Sequence, residues 1–312
     1  MSKYSENIPE DAKGTLEWMI DDISPKATLL DFGCSTGYFG KIIKNLKQAE
    51  VYGIELSDDV KQAAEVLDGV YSFDLDGDWP EPVYERTYDY LFMGDILEHL
   101  KNPSLVLEKS LKLLKKNGKL FVSTPNVAHI STRLELMLGN FTYETIGILD
   151  NTHLKYFTLN SFTNMANDTG YKITSVDYAL NDYPHEIINQ WLAQIGLTAN
   201  GKFWKEVDST EARAFQYKFV LKPATGKIRQ TKLNLKPLPQ KPQQFRDEYI
   251  NNHQALAARV HELDLATQEQ GAELNRLRKQ LVAQQHELNK NHIYQMLKFV
   301  KRSMTKARRS PK

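Results

Sequence analysis

Short apolar segments alternate with amphipathic helical segments up to about residue 221 of this 312-residue chain. A helix is predicted over 10–22, and further helices between most of the strands. The strand-like segments, rich in β-branched and aromatic residues, are 27–32, 50–55, 70–73, 88–93, 119–123, 172–178 and 213–221. This alternation is typical of a largely parallel sheet covered by helices on both faces. We therefore predict a doubly wound α/β domain over residues 1–222.

Two irregular segments interrupt the alternation. Segment 126–158 is rich in His, Tyr, Asn and Gly. We predict that it is a lid or substrate-binding insertion, because long connections in compact domains usually carry function. Segment 180–206 carries Trp191, Trp204 and His185 and forms a second insertion.

The composition changes after residue 222. Four prolines and the absence of acidic residues predict an extended linker over 223–244. Apolar residues spaced alternately by four and three then predict a coiled coil over 245–290, for self-association or for binding a partner protein. A lone solvated helix is the alternative for this segment.

The last segment, 291–312, combines basic residues with an apolar stripe along one helical face. Such a helix is typical of peripheral contact with an anionic membrane surface, here the inner face. A solvated, frayed tail and a nucleic-acid-binding arm are the alternatives. Nucleic acid is the less favoured of the two polyanions, because the apolar stripe has no use against phosphates.

Charge and cysteine content exclude several classes of protein. Forty basic and 39 acidic residues give a net charge of +1, so no global field attracts the chain to nucleic acid. The single cysteine, Cys34, excludes an intramolecular disulfide and a Cys-rich metal site. No stretch approaches the ~20 apolar residues of a spanning helix, and residues 1–14 lack a secretory core. We expect a cytoplasmic protein, soluble or peripheral to the membrane.

The first strand runs into a glycine turn and then a helix. Gly33 and Gly37 allow the backbone to approach a ligand closely at the carboxyl end of the strand, where open α/β sheets bind cofactors. A dinucleotide fingerprint would require glycine where Ser35 stands, so the spacing argues against a dehydrogenase. An ordinary strand-to-helix turn is the structural alternative.

Acidic residues follow the next strands at regular intervals. Glu55 closes the second strand, where it could accept hydrogen bonds from two ribose hydroxyls. Asp74 follows the third strand, where it could accept from an adenine amino group. Gly94, Asp95 and Ile96 follow the fourth strand.

Together these blocks, over about residues 28–125, resemble the class I S-adenosyl-L-methionine-dependent methyltransferases. The resemblance implies a Rossmann-like sheet of seven strands whose seventh is antiparallel, and S-adenosylmethionine as the cofactor. It carries cofactor contacts onto Asp31, Gly33, Gly37, Glu55, Asp74, Gly94, Asp95 and Ile96. Asp31 could instead cap the turn.

Segment 147–158 resembles one found in ubiquinone-type O-methyltransferases and, more closely, in enzymes of bacterial polysaccharide clusters. A hydroxyl is a poor nucleophile until its proton begins to leave, so a base is expected. His153 on the lid and His99 after the fourth strand are the candidates, with Asp95 or Asp150 orienting them. Either histidine could be purely structural. A divalent cation at these carboxylates and histidines, as in some sugar O-methyltransferases, is an open alternative, but no compact ligand spacing supports it and no metal site is predicted.

The favoured hypothesis is an enzyme that O-methylates a saccharide, such as the terminal sugar of a surface glycan. A quinone precursor is the alternative small-molecule acceptor. In a hypothesis of another class, the chain is a scaffold that has lost turnover and recruits partners through its coiled coil. The intact glycine turn with Glu55 and Asp74 speaks against the scaffold.

Overall fold

The computed structural model of the chain describes residues 16–224, 226, 233, 235 and 280. Nearly all of the predicted linker and coiled coil, and the whole of the basic tail, lie outside the described residues. Of the predicted opening helix, the described part is a turn followed by the 3-10 helix Ile20–Asp22. Within the part of the chain that is described, no helix is long and apolar enough to cross a membrane.

The centre of the fold is a seven-stranded sheet with the order β3-β2-β1-β4-β5-β7-β6. Its strands are β1 Thr28–Phe32, β2 Glu50–Ile54, β3 Gly69–Tyr71, β4 Tyr88–Gly94, β5 Leu114–Pro125, β6 Tyr171–Leu180 and β7 Ala214–Pro223. The first five strands pair in parallel, whereas β7 pairs antiparallel with both β5 and β6. The predicted fold class and the antiparallel seventh strand are confirmed.

One strand is longer than the sequence predicts. We expected the fifth strand to begin after Gly118, but β5 begins at Leu114. A register shift in its pairing with β4 accommodates the extra polar residues. Lys115 is held there because its ammonium lies 2.8 Å from Asp89 Oδ2 and 3.1 Å from Thr28 Oγ1.

Both faces of the sheet are buried, which explains why the central strands contain runs of consecutive apolar residues. Neighbouring residues of one strand point to opposite faces. Accordingly Leu29 belongs to one hydrophobic cluster and Leu30 to another, and Phe92 and Met93 divide in the same way. Burial on both sides is what parallel strands require.

Helices that cover the sheet begin at clear signals. They are α1 Tyr38–Lys47, α2 Val60–Val66, α3 Pro103–Ser110 and α5 Leu159–Asp168. Asn102 caps α3 by accepting a hydrogen bond from Leu105 N, and a proline opens its first turn. Thr158 and Ser161 form a capping box at the start of α5. The 3-10 helices Glu81–Glu85, Leu97–His99 and Leu111–Leu113 complete the connections.

Residues 130–142 and 181–213 belong to a second compact unit. Its helices are α4 Ile130–Met137, α6 His185–Ala193, α7 Gly201–Val207 and α8 Thr210–Arg213. They share a core that includes Leu134, Ile188 and Trp191. The predicted lid 126–158 is therefore divided, because its parts 126–129 and 143–158 belong to the first unit.

Candidate functional site

The turn between β1 and α1 departs from ordinary backbone geometry at three positions. Gly33, Ser35 and Gly37 have φ angles of +69°, +47° and +75°. The left-handed region is open to glycine without steric cost, and its use at Ser35 is strained. The N–H groups of Gly33 and Cys34 donate to the carbonyl of Ile54, 2.8 and 3.0 Å away. The turn is thus tied to the end of β2.

Close packing around both glycines leaves little room for a side chain. A Cβ atom at Gly33 would lie 2.2 Å from Ile96 Cδ1, so the loops after β1 and β4 touch here. A Cβ atom at Gly37 would lie 2.7 Å from Val66 Cγ2 and 3.1 Å from the Cα atom of Ala63. The carboxyl edge of the sheet therefore contains a group of closely packed loops, to which the predicted residues Gly33, Gly37 and Ile96 belong.

Glu55 lies directly after β2, and its carboxylate is hydrogen-bonded to the glycine turn. Its Oε2 atom accepts from Ser35 N at 2.8 Å, and its Oε1 atom accepts from Ser57 N at 2.8 Å. Ser35 Oγ in turn donates to Asp59 Oδ2 at 2.9 Å. Two backbone amides, one of them in the glycine turn, thus fix the orientation of the Glu55 carboxylate.

Asp31 is buried in β1, beside Glu55. Burial raises the pKa of the Asp31 carboxyl well above its usual range, and the negative charge of Glu55 raises it further. The amides of Gly33 and Cys34 donate to Ile54 rather than to Asp31, which removes the main reason for regarding Asp31 as a turn cap. Two neighbouring carboxyl groups at the end of the first two strands suit a cationic ligand.

Asp74 lies in a tight turn after β3 and is exposed to solvent. Its Oδ1 atom accepts from Asp76 N at 2.9 Å, and its carbonyl accepts from Gly77 N at 3.0 Å. The side chain of Asp76 accepts from the amides of Lys101 and Asn102, at 2.9 and 3.0 Å. The turn is thereby attached to the segment that leads into α3, and among the described residues no hydrogen bond links Asp74 to the glycine turn.

Gly94 ends β4, and Asp95 follows it in a strained conformation. The φ angle of Asp95 is +53°, which is unusual for a residue with a side chain. Its carboxylate accepts from Gln216 Nε2 at 2.8 Å and from Ser123 Oγ at 3.2 Å. Desolvation raises the pKa of Asp95 although the residue keeps an exposed surface, and these hydrogen bonds partly offset the rise.

Glu98 is a further candidate residue that the sequence analysis did not single out. It is only 1% exposed, and burial followed by the charge of Asp95 raises its pKa well above the usual range. Its Oε2 atom accepts from Thr124 Oγ1 at 3.2 Å, whereas Oε1 has no hydrogen-bond partner among the described residues. The signal was available in the sequence, because Glu98 stands in the short segment after β4 that also carries Asp95 and His99.

The structure brings His99 and His153, the two alternative candidates for the base, together. Their ring centroids are 4.8 Å apart. His153 Nδ1 lies 3.0 Å from the carbonyl of Ile148, and His99 Nδ1 lies 3.1 Å from Thr152 Oγ1. Burial is the main cause that lowers the pKa of His153, and His99 also lowers it, so the imidazole is neutral at pH 7.

Asp150, rather than Asp95, is connected to a histidine through hydrogen bonds. Its Oδ1 atom accepts from Thr152 Oγ1 at 2.6 Å. A carboxylate only accepts, so the Thr152 hydroxyl donates to Asp150 and accepts from His99 Nδ1–H. Asp95 acts on His153 through its negative charge, which raises the pKa of the imidazole. The two orienting candidates therefore act in different ways.

Comparison with known proteins agrees with this arrangement. Residues 4–176 match the family model of a methyltransferase domain. The mitochondrial ubiquinone biosynthesis O-methyltransferase of Candida albicans is 32% identical over 48% of this chain and 47% of its own length. The enzyme of the same name from Burkholderia vietnamiensis is 32% identical over 31% of this chain and 44% of its own length. The chain thus spans about half the length of these curated relatives.

A solved structure of a SAM-dependent methyltransferase from Archaeoglobus fulgidus is similar at a TM-score of 0.46 and 16% identity, covering 67% of this chain and 92% of that chain. The family match covers more than half of the present chain, including β1–β5 and the whole glycine turn. The chain therefore belongs to the methyltransferase-domain family, within the class I S-adenosylmethionine-dependent group, and its cofactor is S-adenosylmethionine.

Proposed function

We propose that this chain transfers a methyl group from S-adenosylmethionine to a hydroxyl oxygen of a small-molecule acceptor. When bound, the cofactor supplies a methyl group already activated by a sulfonium, so the chain mainly has to align and activate the acceptor. The observation that carries the proposal is the cluster of Glu98, His99 and His153. A carboxylate oxygen of Glu98 and one ring nitrogen of each histidine lie within 4.8 Å of one another. Asp95 adds a fourth polar group beside it.

The cofactor residues fit this proposal. Glu55, already oriented by two amides, would receive the ribose hydroxyls. Asp31 and the glycine turn would face the positively charged amino acid end, because a cation relieves the repulsion between Asp31 and Glu55. Asp74 would accept from the adenine amino group, and Gly94 to Ile96 would line the site after β4. These assignments carry over, residue by residue, the cofactor contacts implied by the resemblance to class I methyltransferases.

Replacement of His153 by glutamine tests the role of the cluster. We expect the turnover number to fall about a hundredfold, the lower range for loss of a group that assists proton transfer. Affinity for S-adenosylmethionine, measured by calorimetry, should stay unchanged because the cofactor residues lie on other loops. Wild-type turnover in this variant would remove His153 from the site. Absence of cofactor binding in the wild-type chain would instead favour the scaffold hypothesis.

For the acceptor, a saccharide is our first proposal and a phenolic quinone precursor the second. The segment 147–158, with its resemblance to polysaccharide-cluster enzymes, supports the first. The names of the curated relatives support the second. A coiled coil at 245–290 and a membrane-binding tail at 291–312 would suit a large lipid-linked glycan, although both remain predictions from sequence.

A methyl-transfer screen decides between the acceptors. Radiolabelled S-adenosylmethionine is incubated with the full chain and, separately, nucleotide sugars, lipid-linked glycans, quinone precursors and RNA. We expect label in one of the two sugar arms and none in RNA. Label confined to the quinone precursors would overturn the saccharide assignment while preserving O-methyl transfer.

A further inference from the structure

The strand β6 forms one edge of the sheet and offers a long surface for strand pairing. It has ten residues, Tyr171–Leu180, whereas β3 at the opposite edge has only three, Gly69–Tyr71. On its inner side β6 pairs with β7, so the backbone groups of its outer side have to be satisfied in another way. A long edge strand is a template for a second chain unless something covers or interrupts it.

The first half of β6 carries two features that protect an edge. Lys172 is exposed, and the pairing with β7 shifts its register between Ile173 and Ser175. The second half is regular, because residues 175–179 pair one by one with residues 220–216 of β7. A regular half-strand presents evenly spaced backbone groups and therefore needs a cover of another kind.

Two leucines of the predicted linker lie against this regular half. Leu235 forms a parallel bridge with Val176. Leu233 and Leu235 are both half-buried and pack against the hydrophobic cluster that contains Val176 and Phe162. Residues two apart in an extended segment point to the same face, so both leucines can reach this one cluster. The sequence Lys-Leu-Asn-Leu-Lys at 232–236 has the matching alternation of polar and apolar residues.

We propose that Leu233 and Leu235, here called the edge strap, seal the outer side of β6 and prevent it from pairing with β6 of a second copy of this chain. A second β6 is the partner that fits an uncovered edge, because two copies related by a twofold axis present identical, self-complementary surfaces. The strap is itself a poor template for a further strand, since it is short and Lys232 and Lys236 flank it in the sequence.

The edge strap is remote from the cofactor residues, so the inference does not depend on the proposed function. The strands β4, β5 and β7 lie between β6 and β1, whose end carries the glycine turn. Glu55 follows β2, which lies one strand farther away. Affinity for S-adenosylmethionine therefore reports whether a strap variant is folded without depending on the strap itself.

Replacement of Leu235 by asparagine in the full chain tests the strap. At low protein concentration, we expect amide hydrogen exchange in residues 175–179 to accelerate about tenfold, because the outer side of β6 opens to water. At higher concentration, sedimentation velocity should show a species larger than that of the wild type, because uncovered edges pair. Leu233→Asn keeps the bridging residue and should produce the same two changes more weakly.

Leu197→Asn is the matched control, since Leu197 is a leucine outside the strap and is 45% exposed. Its exchange in residues 175–179 and its mass should equal those of the wild type. A synthetic peptide of residues 229–240, added to Leu235→Asn, should restore slow exchange and dissociate the larger species. The same peptide with asparagine in place of both leucines should do neither.

Four results would overturn the strap. Wild-type exchange and mass in Leu235→Asn would show that this leucine covers nothing. Faster exchange without any larger species would contradict the sealing role. Association of Leu197→Asn to the same extent would show that loss of any surface leucine is enough. Failure of the peptide would show that the association does not involve the uncovered edge. Calorimetry with S-adenosylmethionine identifies unfolded variants, and if Leu235→Asn were unfolded, Leu233→Asn would decide by the same criteria.

Discussion

Replacement of Gly37 by alanine is expected to destabilise the chain by about 3 kcal/mol, the sum of a left-handed backbone cost and an overpacking cost. The φ angle of +75° is unfavourable for any residue with a Cβ atom. In addition, the new methyl group would press on Val66 and on the backbone of Ala63, so α2 would have to move. Chemical denaturation measures the loss, and calorimetry should show weaker binding of S-adenosylmethionine.

Gly139→Ala is the matched control for Gly37→Ala. Gly139 has a similar φ angle, +81°, but nothing lies within 4 Å of an added Cβ atom. Only the backbone cost of about 1 kcal/mol should remain. Equal losses in the two variants would show that packing against α2 contributes nothing.

Replacement of Asp182 by asparagine is expected to cost about 3–5 kcal/mol, the usual penalty for removing one partner of a buried ion pair. Asp182 accepts from Arg213 Nε at 2.6 Å and from Arg213 Nη2 at 3.0 Å. The two side chains are only 10% and 7% exposed. Without the carboxylate, the Arg213 charge stays buried and lacks this counter-charge. Thermal and urea unfolding of the full chain measure the effect.

A second arginine–carboxylate pair in the same compact unit provides the control. Arg133 lies 2.6 Å from Glu206, but the Glu206 side chain is 57% exposed. Exposed ion pairs contribute about 0–1 kcal/mol, so Glu206→Gln should be nearly neutral. A loss as large as that of Asp182→Asn would contradict the explanation by burial.

Much of the fold was predictable because the strands are buried on both faces. Residues 90–93 form an uninterrupted apolar run, and such runs between helical segments indicate a parallel sheet. The start of β5 was not predictable, since its polar residues at 115–118 read as a turn. Their place in a strand depends on the tertiary contact of Lys115 with Asp89. Local patterns contain no information on such distant partners.

The candidate site was predictable in its parts but not in its assembly. The glycine turn and Glu55 were identified from their positions at strand ends, whereas the hydrogen bond from Ser35 N that joins them was not predicted. His99 and His153 were singled out one at a time, as alternative bases. Their approach depends on the fold of the segment between them.

The position of β7 has a consequence for how the protein is made. Among the described residues it is the last strand, yet it lies between β5 and β6 and is the only strand there that pairs with β6. While the ribosome is still translating residues before 214, β6 has no neighbour and one edge of β5 is bare. An unpaired strand edge invites pairing with another chain. The nascent protein therefore has to be protected from aggregation until its C-terminal strand emerges.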